Sequence, residues 1–158
     1  CKGDWMKVLM VCLGNICRSP MAAAIFKHKI QKQGLSYLCD SCGTGDYHIG
    51  GPADYRTLAV SQKNGVAMNH TARQLCDADL KEFDYIFAMD KSNQFNILQL
   101  PSAQPNKNKV KLMREYDPNG LGDVPDPYHG NIADFQEVFE ILDRSIDQFV
   151  NELQSKAH

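Results

Sequence analysis

The segment from Lys7 to Gly34 constrains the fold more than any other part of the chain. It begins with the run KVLMV, which is apolar and β-prone without alternating, as in strands that helices cover on both faces. The turn-like stretch CLGNICR follows, and then Ser19 as N-cap and Pro20 at the first helical position predict the start of a helix. Gly34 predicts the end of that helix. A strand, a short loop and a helix in this order predict a central strand of a parallel sheet.

The same alternation continues along the chain. We expect further strands near residues 37–41, 85–89 and 110–113, and helices near residues 55–64 and 92–100. The final segment carries an apolar stripe at steps of three and four, typical of a long amphipathic helix: Phe135, Val138, Phe139, Leu142, Ile146, Phe149, Val150 and Leu153. Strands that alternate with helices predict an α/β fold, in which ligands bind beyond the carboxyl ends of the parallel strands.

The length of 158 residues fits a single domain, which we assign to residues 6–158. The first five residues, CKGDW, break the strand pattern and are interpreted as a short extension or a cloning remnant. The net charge is -2, so no overall basic field attracts nucleic acid or an anionic membrane. No apolar stretch approaches the ~20 residues that span a bilayer, and the amino terminus lacks the pattern of a secretory signal. We therefore expect a cytoplasmic protein with free thiols and without nucleic-acid or membrane partners.

The loop between the first strand and the first helix favours anion binding. Backbone amides of a short loop ahead of a helix N-terminus point inward, and the helix dipole adds positive potential. Cys12 is a nucleophile candidate, because thiols beside a helix N-terminus and a cation ionise more readily than isolated thiols. Arg18 offers a planar charged fork for two phosphate oxygens. Ser19 can donate a hydrogen bond to the thiolate, Asn15 can hold the loop, and Gly14 relaxes its backbone.

A plainer interpretation of the same residues is available. Cys12 then ends a buried strand, Arg18 forms a surface ion pair, and Ser19 only caps a helix. A bare cysteine and arginine at this spacing arise by chance more often than as a site. The strand before the loop, the Ser-Pro start of the helix, and the glycine and asparagine inside the loop together favour the anion site.

Hydrolysis of a phosphate monoester also needs an acid to protonate the leaving oxygen, and the segment VPDPYHG offers one. Asp126 lies between two prolines that restrict the backbone, and Tyr128 beside it is placed to line a pocket. Taken alone, this segment is equally typical of a proline-rich turn. Asp117 is the competing acid, and Asp123 is a weaker candidate.

Four motifs carry a resemblance to a known family: CLGNICRSP, NHTARQL, DYIFAMDKSN and DPYHG. The chain resembles the low-molecular-weight protein tyrosine phosphatases, and the resemblance covers it from Met6 to His158. The resemblance implies a Rossmann-like fold with one four-stranded parallel sheet flanked by helices on both faces. It also implies a phosphocysteine intermediate and no metal or cofactor.

The resemblance assigns roles residue by residue. Cys12 becomes the nucleophile, Arg18 the phosphate clamp, Ser19 the thiolate stabiliser, Asn15 the organiser of the loop, and Asp126 the general acid. Besides the nucleophile and the clamp, the phosphate-binding loop comprises Leu13, Gly14, Asn15, Ile16, Cys17 and Ser19.

Further positions match family positions outside the loop. His70 matches a histidine that supports the asparagine of the loop, and Asp90 matches an aspartate near it, although capping of a helix explains Asp90 equally well. Tyr47 and Tyr128, together with Leu13 and Ile16, match the walls that flank the phosphotyrosine ring. The family also implies a reversible disulfide between Cys17 and the nucleophile. His129 departs from relatives that carry a second tyrosine after DPY.

Several alternatives stay open at this stage. A protein arginine phosphatase usually has threonine at position 16, and an arsenate reductase needs more cysteines downstream than Cys76 alone. A phosphocysteine carrier would not need an arginine, a serine and a distant acid together. The pair Cys39 and Cys42 lacks the partner pair of a zinc site, so we expect no structural metal. The expected partners are phosphotyrosine-containing proteins or small aryl phosphates, and the apolar mouth would allow weak self-association.

Overall fold

The structure is a computed structural model that describes residues 6–156 of the chain, so the predicted extension at residues 1–5 lies outside the described residues. The strands are β1 (Met6–Cys12), β2 (Tyr37–Gly43), β3 (Tyr85–Ala88) and β4 (Val110–Leu112). The helices are α1 (Arg18–Gln33), α2 (Tyr55–Lys63), α3 (Asp77–Glu82), α4 (Lys91–Leu98), α5 (Ala103–Asn106) and α6 (Ile132–Lys156). Two short 3-10 helices flank β4, at Lys107–Lys109 and Met113–Tyr116.

The four strands form one parallel sheet in the order β2-β1-β3-β4. Strand β1 lies at its centre, with Cys12 opposite Gly43 of β2 and Val11 opposite Ala88 of β3. The chain therefore leaves β1 toward β2 on one side and returns to β3 on the other. At such a switch point the connections diverge and leave a crevice beyond the carboxyl end of the strand.

Helices cover both faces of the sheet, which explains why β1 is apolar without alternation. On one face Val8 and Met10 pack in a core with residues of α1, α2 and α6, among them Phe26 and Phe149. On the other face Leu9 and Val11 pack with Leu80 of α3, Ile97 of α4 and Ala103 of α5. The predicted α/β fold with a four-stranded parallel sheet between two helical layers is confirmed.

The boundaries differ from the sequence prediction in one functionally relevant place. Ser19 was expected to cap α1, but the helix begins at Arg18, and the N-cap position belongs to Cys17, which makes no side-chain capping bond. The capping prediction for Ser19 is wrong because its hydroxyl bonds outside the helix, as described below. Gly34 does end the helix, in the left-handed conformation at φ 69°.

Two helices were not predicted. α3 has six residues and α5 has four, and each contributes a single apolar side chain to the core, so neither produces a helical periodicity. Within residues 6–156, none of the helices has the length and apolar character needed to cross a membrane.

Candidate active site

The candidate site lies at the carboxyl end of β1, where Cys12 ends the strand and α1 begins six residues later. Gly43, at the end of the neighbouring strand, passes close to the loop between them. A Cβ added there would lie 2.6 Å from the carbonyl oxygen of Leu13 and 3.1 Å from the amide nitrogen of Asn15. Gly43 thus provides room for the loop to fold back against the sheet, a role that the sequence analysis missed.

Asn15 holds the loop in shape. Its backbone has φ 58°, in the left-handed region that asparagine tolerates better than most residues. Its side-chain amide donates to the hydroxyl groups of Ser19 (2.8 Å) and Ser41 (3.0 Å), and its carbonyl oxygen Oδ1 accepts from the backbone amide of Arg73 (2.9 Å). The Asn15 side chain is fully buried, so these three bonds fix both the loop and the serine beside the thiol.

His70 supports the same residue from behind. Its Nε2 atom lies 2.6 Å from the backbone oxygen of Asn15, the contact that the sequence analysis anticipated. Burial lowers the pKa of His70 below its ordinary value of 6.5, more than the bond to Asn15 raises it. The lowered pKa favours the neutral imidazole, whose Nε2 donates to the backbone oxygen of Asn15.

The Cys12 sulfur is the focus of the loop. It lies 3.0 Å from the hydroxyl oxygen of Ser19, and the backbone amide of Asn15 donates to it at 3.2 Å. Both are donors available to a thiolate, because the Ser19 hydroxyl oxygen in turn accepts the Asn15 side-chain amide. Cys12 is 2% exposed, so the sulfur lies at the bottom of the pocket rather than on the surface.

Arg18 supplies fixed positive charge beside this thiol. It is 2% exposed, and its Nη1 atom donates to Asp90 Oδ2 (2.7 Å) and to the carbonyl oxygen of Val124 (3.0 Å). Burial lowers the pKa of Arg18, but the neighbouring Cys12 and Asp90 raise it by more. The net pKa is raised, so the guanidinium stays charged. Asp90 has both of the functions considered from the sequence, because its other oxygen accepts from the Asn93 amide and caps α4.

Asp126 reaches the same pocket from the loop before α6. One carboxylate oxygen accepts from the Tyr128 amide at 3.1 Å, and the other lies 3.8 Å from Arg18 Nη2. Its side chain is 45% exposed, which leaves it free to exchange protons with solvent and substrate.

The competing acids are placed elsewhere. Asp117 has a fully covered side chain that Arg114 and Arg144 both bind at 2.8 Å, away from the pocket lining. Burial raises its pKa, but the hydrogen bonds from Arg144, the Asn119 amide and Arg114 outweigh this and lower the pKa to about 2. Asp123 accepts from the backbone amide of Lys91. The structure therefore favours Asp126 over both.

The pocket has a volume of about 340 Å³. It brings together most of the residues predicted to line it, and adds two histidines: Cys12, Leu13, Gly14, Ile16, Cys17, Arg18, Tyr47, His48, Asp126, Tyr128 and His129. Tyr47 and Tyr128 form its outer walls and are 72% and 40% exposed. A pocket with the buried Cys12 in its lining and tyrosines at its outer walls can admit a flat ring whose phosphate reaches the loop.

The remaining thiols differ from Cys12. Cys17 is a free thiol within the pocket lining, and burial, followed by the charge of Asp54, raises its pKa to about 12. Cys42 of β2 is buried in the core beside Val11 of β1, and Cys39 is half-buried. Among residues 6–156, no group of three or more histidine, cysteine or acidic side chains could hold a metal ion. Cys76 is exposed at the N-cap position of α3.

Comparisons with known proteins agree with this geometry. A family model described as low molecular weight phosphotyrosine protein phosphatase matches residues 7–158. The phosphatase of that name from Schizosaccharomyces pombe is 48% identical over 85% of this chain and 88% of its own length. The human phosphatase of that name is 40% identical over 96% of this chain and 95% of its own. A crystal structure of a protein tyrosine phosphatase from Entamoeba histolytica superposes with TM-score 0.91 and 39% identity, covering 97% and 99% of the two chains.

Proposed function

The chain belongs to the low molecular weight phosphotyrosine protein phosphatase family and is a hydrolase of that class, and on this premise we propose how its own residues carry the reaction. The observation that supports the proposal most directly is the environment of Cys12. Its buried sulfur accepts a hydrogen bond from the Asn15 amide and lies 3.0 Å from the Ser19 hydroxyl, in the lining of a pocket that also contains Arg18 and Asp126. A nucleophile, an anion clamp and an exposed acid thus face one ring-sized cavity.

In the first step the Cys12 thiolate attacks phosphorus in line with the tyrosyl oxygen. The S–P bond forms as the P–O bond breaks, and Asp126 transfers its proton to the departing phenolate. The loop amides and Arg18 hold the three non-bridging oxygens, whose negative charge they stabilise in the transition state. Asp90 and the carbonyl of Val124 orient Arg18 for this task.

In the second step water hydrolyses the phosphocysteine. Asp126, now ionised, accepts a proton from the attacking water, and the S–P bond breaks to release inorganic phosphate. The Ser19 hydroxyl, 3.0 Å from the sulfur, stabilises the thiolate as it leaves. No metal or cofactor is needed in this scheme, because Arg18 and the loop amides supply the positive charge.

The substrates that fit are phosphotyrosine-containing proteins or small aryl phosphates. Cys12 is 2% exposed beneath walls that include Tyr47 and Tyr128, so a phosphate must stand on a long, flat side chain to reach the sulfur. Phosphoserine is too short to do so. Because the mechanism requires Cys12 as a free thiol, a reducing, cytoplasmic setting suits the enzyme.

Phosphate release from phosphotyrosine, phosphoserine and phosphoarginine peptides, measured with a chelator present, tests the proposal. We expect the wild-type protein and Cys76→Ser, a matched change at an exposed thiol outside the pocket, to turn over phosphotyrosine alone. Cys12→Ser should show no turnover, a loss of at least ~10⁴-fold, since removal of a nucleophile costs a triad enzyme about 10⁶-fold. Preference for phosphoarginine, or stable phosphoprotein without turnover, would contradict it and favour an arginine phosphatase or a phosphocysteine carrier respectively.

A further inference from the structure

The first turn of α2 contacts both loops of the active site. The Asp54 amide donates to the carbonyl oxygen of Ile16 at 2.9 Å, and the Thr57 hydroxyl donates to that of Cys17 at 3.3 Å. Both acceptors belong to the phosphate-binding loop. Between these two residues, Arg56 extends in the other direction, toward the segment that carries Asp126.

Arg56 binds that segment by its backbone. Its Nη2 atom donates to the carbonyl oxygen of Tyr128, and its Nη1 atom donates to that of Gly130, each at 2.9 Å. Two carbonyl oxygens on one planar guanidinium fix the orientation of the segment, because the fork of donors is rigid. Arg56 is not among the residues that line the pocket.

Arg56 is itself held in place. Asp54 binds it with both oxygens at 3.0 Å, and the guanidinium carbon lies 4.4 Å from the centre of the Phe135 ring at the start of α6. The side chains of Arg56 and Asp54 are only 17% and 8% exposed. A covered, paired and stacked guanidinium is a preorganised support rather than a mobile surface charge.

The residue that Arg56 binds, Tyr128, is also hydrogen-bonded to the acid. The Tyr128 amide donates to Asp126 Oδ1 at 3.1 Å, while the Tyr128 carbonyl accepts from Arg56 at 2.9 Å. On the other side of Asp126, Val124 is tied to the body of the protein by its amide, which donates to the Met89 carbonyl, and by its carbonyl, which accepts from Arg18. Asp126 therefore lies between two residues that hydrogen bonds hold in place. Val124 is held on its amino-terminal side, and Tyr128 is held by Arg56 on its carboxyl-terminal side.

We propose that Arg56 is a positioning residue for general acid catalysis, which holds the Asp126 carboxyl at the distance from Cys12 where it can protonate the leaving oxygen. The proposal rests on the proposed function, because it assumes that Asp126 is the acid. In this proposal a single structural element, α2, positions both the nucleophile and the acid, because it contacts the loops that carry them.

The leaving group of the substrate separates positioning of an acid from a general structural role. When the aryl group is electron-poor, the weakly basic phenolate departs without a proton. The more basic phenolates of phenyl phosphate and phosphotyrosine need a proton from the acid in order to leave. The experiment measures kcat/KM, which reports the step that forms phosphocysteine, over a series of aryl phosphates. The variants are Arg56→Met, which keeps the length and stacking of the chain, and Arg56→Lys, which keeps the charge.

We expect Arg56→Met to lower kcat/KM for phenyl phosphate about 10-fold or more, a part of the 10²–10⁴-fold that an acid supplies. For the most electron-poor phosphate the loss should stay within about 3-fold, and Arg56→Lys should show the same pattern in milder form. In an Asp126→Ala background the Arg56→Met change should have little further effect, since residues acting through one group are not additive.

Arg144→Met provides the matched control, because Arg144 also binds an aspartate of this region but not the Asp126 segment. Its effect on kcat/KM should not depend on the leaving group. A loss for the Arg56 variants that is equal across the series, or that adds to Asp126→Ala in full, would overturn the positioning role. If Asp126→Ala itself shows no dependence on the leaving group, the acid assignment in the proposed function fails instead. Should Arg56→Met not fold, as judged by thermal unfolding, Arg56→Lys alone decides the question.

Discussion

The two loops that make the active site are built in opposite ways. The polar side chains of the phosphate-binding loop, residues 12–19, are buried: Asn15, Arg18 and Ser19 are at most 2% exposed and bond to one another or to neighbouring elements, while Leu13 at the rim is exposed. The acid loop, residues 123–130, is open, with the Asp126 side chain 45% and the Tyr128 residue 40% exposed. The first loop is held by bonds among its own buried polar side chains, whereas the second is an exposed wall that other elements hold at Val124 and at Tyr128.

The difference follows from the chemistry that each loop performs. Amides and a guanidinium that stabilise transition-state charge work best when they are already oriented and shielded from water. An acid that gives up a proton and later takes one from water must be accessible. Asp117 shows the contrast, because two arginines hold its pKa at about 2 and keep it ionised at neutral pH.

The strongest test of this contrast compares the same substitution at the two aspartates. We predict that Asp126→Asn lowers kcat/KM for phosphotyrosine by about 10²–10⁴-fold, the range for loss of a general acid. Its free energy of unfolding should change by less than about 0.5 kcal/mol, because the side chain is half exposed. Steady-state kinetics and urea unfolding measure both. Full activity in Asp126→Asn would refute the role of the loop.

Asp117→Asn should show the reverse pattern. We expect unfolding to become easier by about 2 kcal/mol, since charged hydrogen bonds from Arg114 and Arg144 are weakened, while phosphatase activity of the folded protein is kept. Because the folded pKa of Asp117 is depressed, its stabilisation is full above the ordinary value of 3.8 and is lost as pH falls toward 2. Urea titrations at pH 6 and at pH 3 should therefore show a smaller difference between wild type and variant at the lower pH.

A smaller effect tests the fixed shape of the phosphate-binding loop. Asn15→Gly and Asn15→Ala both remove the side-chain bonds, but only alanine must strain to keep φ 58°. We predict that Asn15→Ala is less stable than Asn15→Gly by about 1 kcal/mol, the cost of the left-handed conformation. Thermal unfolding of the two variants measures it. Equal stability of the two variants would mean that the backbone at position 15 relaxes. It would contradict the claim that the phosphate-binding loop is more rigid than the acid loop.

The same contrast explains how much could be predicted from sequence. The phosphate-binding loop is contiguous, so the strand, the cysteine, the arginine and the serine are all visible in one stretch of thirteen residues, Lys7 to Ser19. The error there, Ser19 as helix cap, arose because its hydroxyl contacts Cys12 and because the helix starts at Arg18, two residues earlier than predicted. Local propensity could not reveal that competing partner.

The acid loop depends on contacts that are distant in sequence. Asp126 is one of three acids that the sequence offers. Only the fold distinguishes it from Asp117, because the fold buries the Asp117 side chain and brings Arg114 and Arg144 to it. Arg56 lies 72 residues before the carbonyl of Tyr128 that it binds, in a helix whose own pattern shows only an amphipathic surface. Ser41 and Gly43 were missed for the same reason, since their importance comes from the loop that packs on them.

Rapid acid quenching of the reaction with a phosphotyrosine peptide tests the central claim most directly. We would use wild type and Asp126→Ala, in which hydrolysis of the intermediate lacks its base, and locate the bound phosphoryl group by peptide mass spectrometry. The account predicts one phosphoryl group on the peptide that contains Cys12, at higher occupancy in Asp126→Ala if release is slowed more than formation. Turnover with the phosphoryl group on a different side chain, or with none on Cys12 at any quench time, would contradict it.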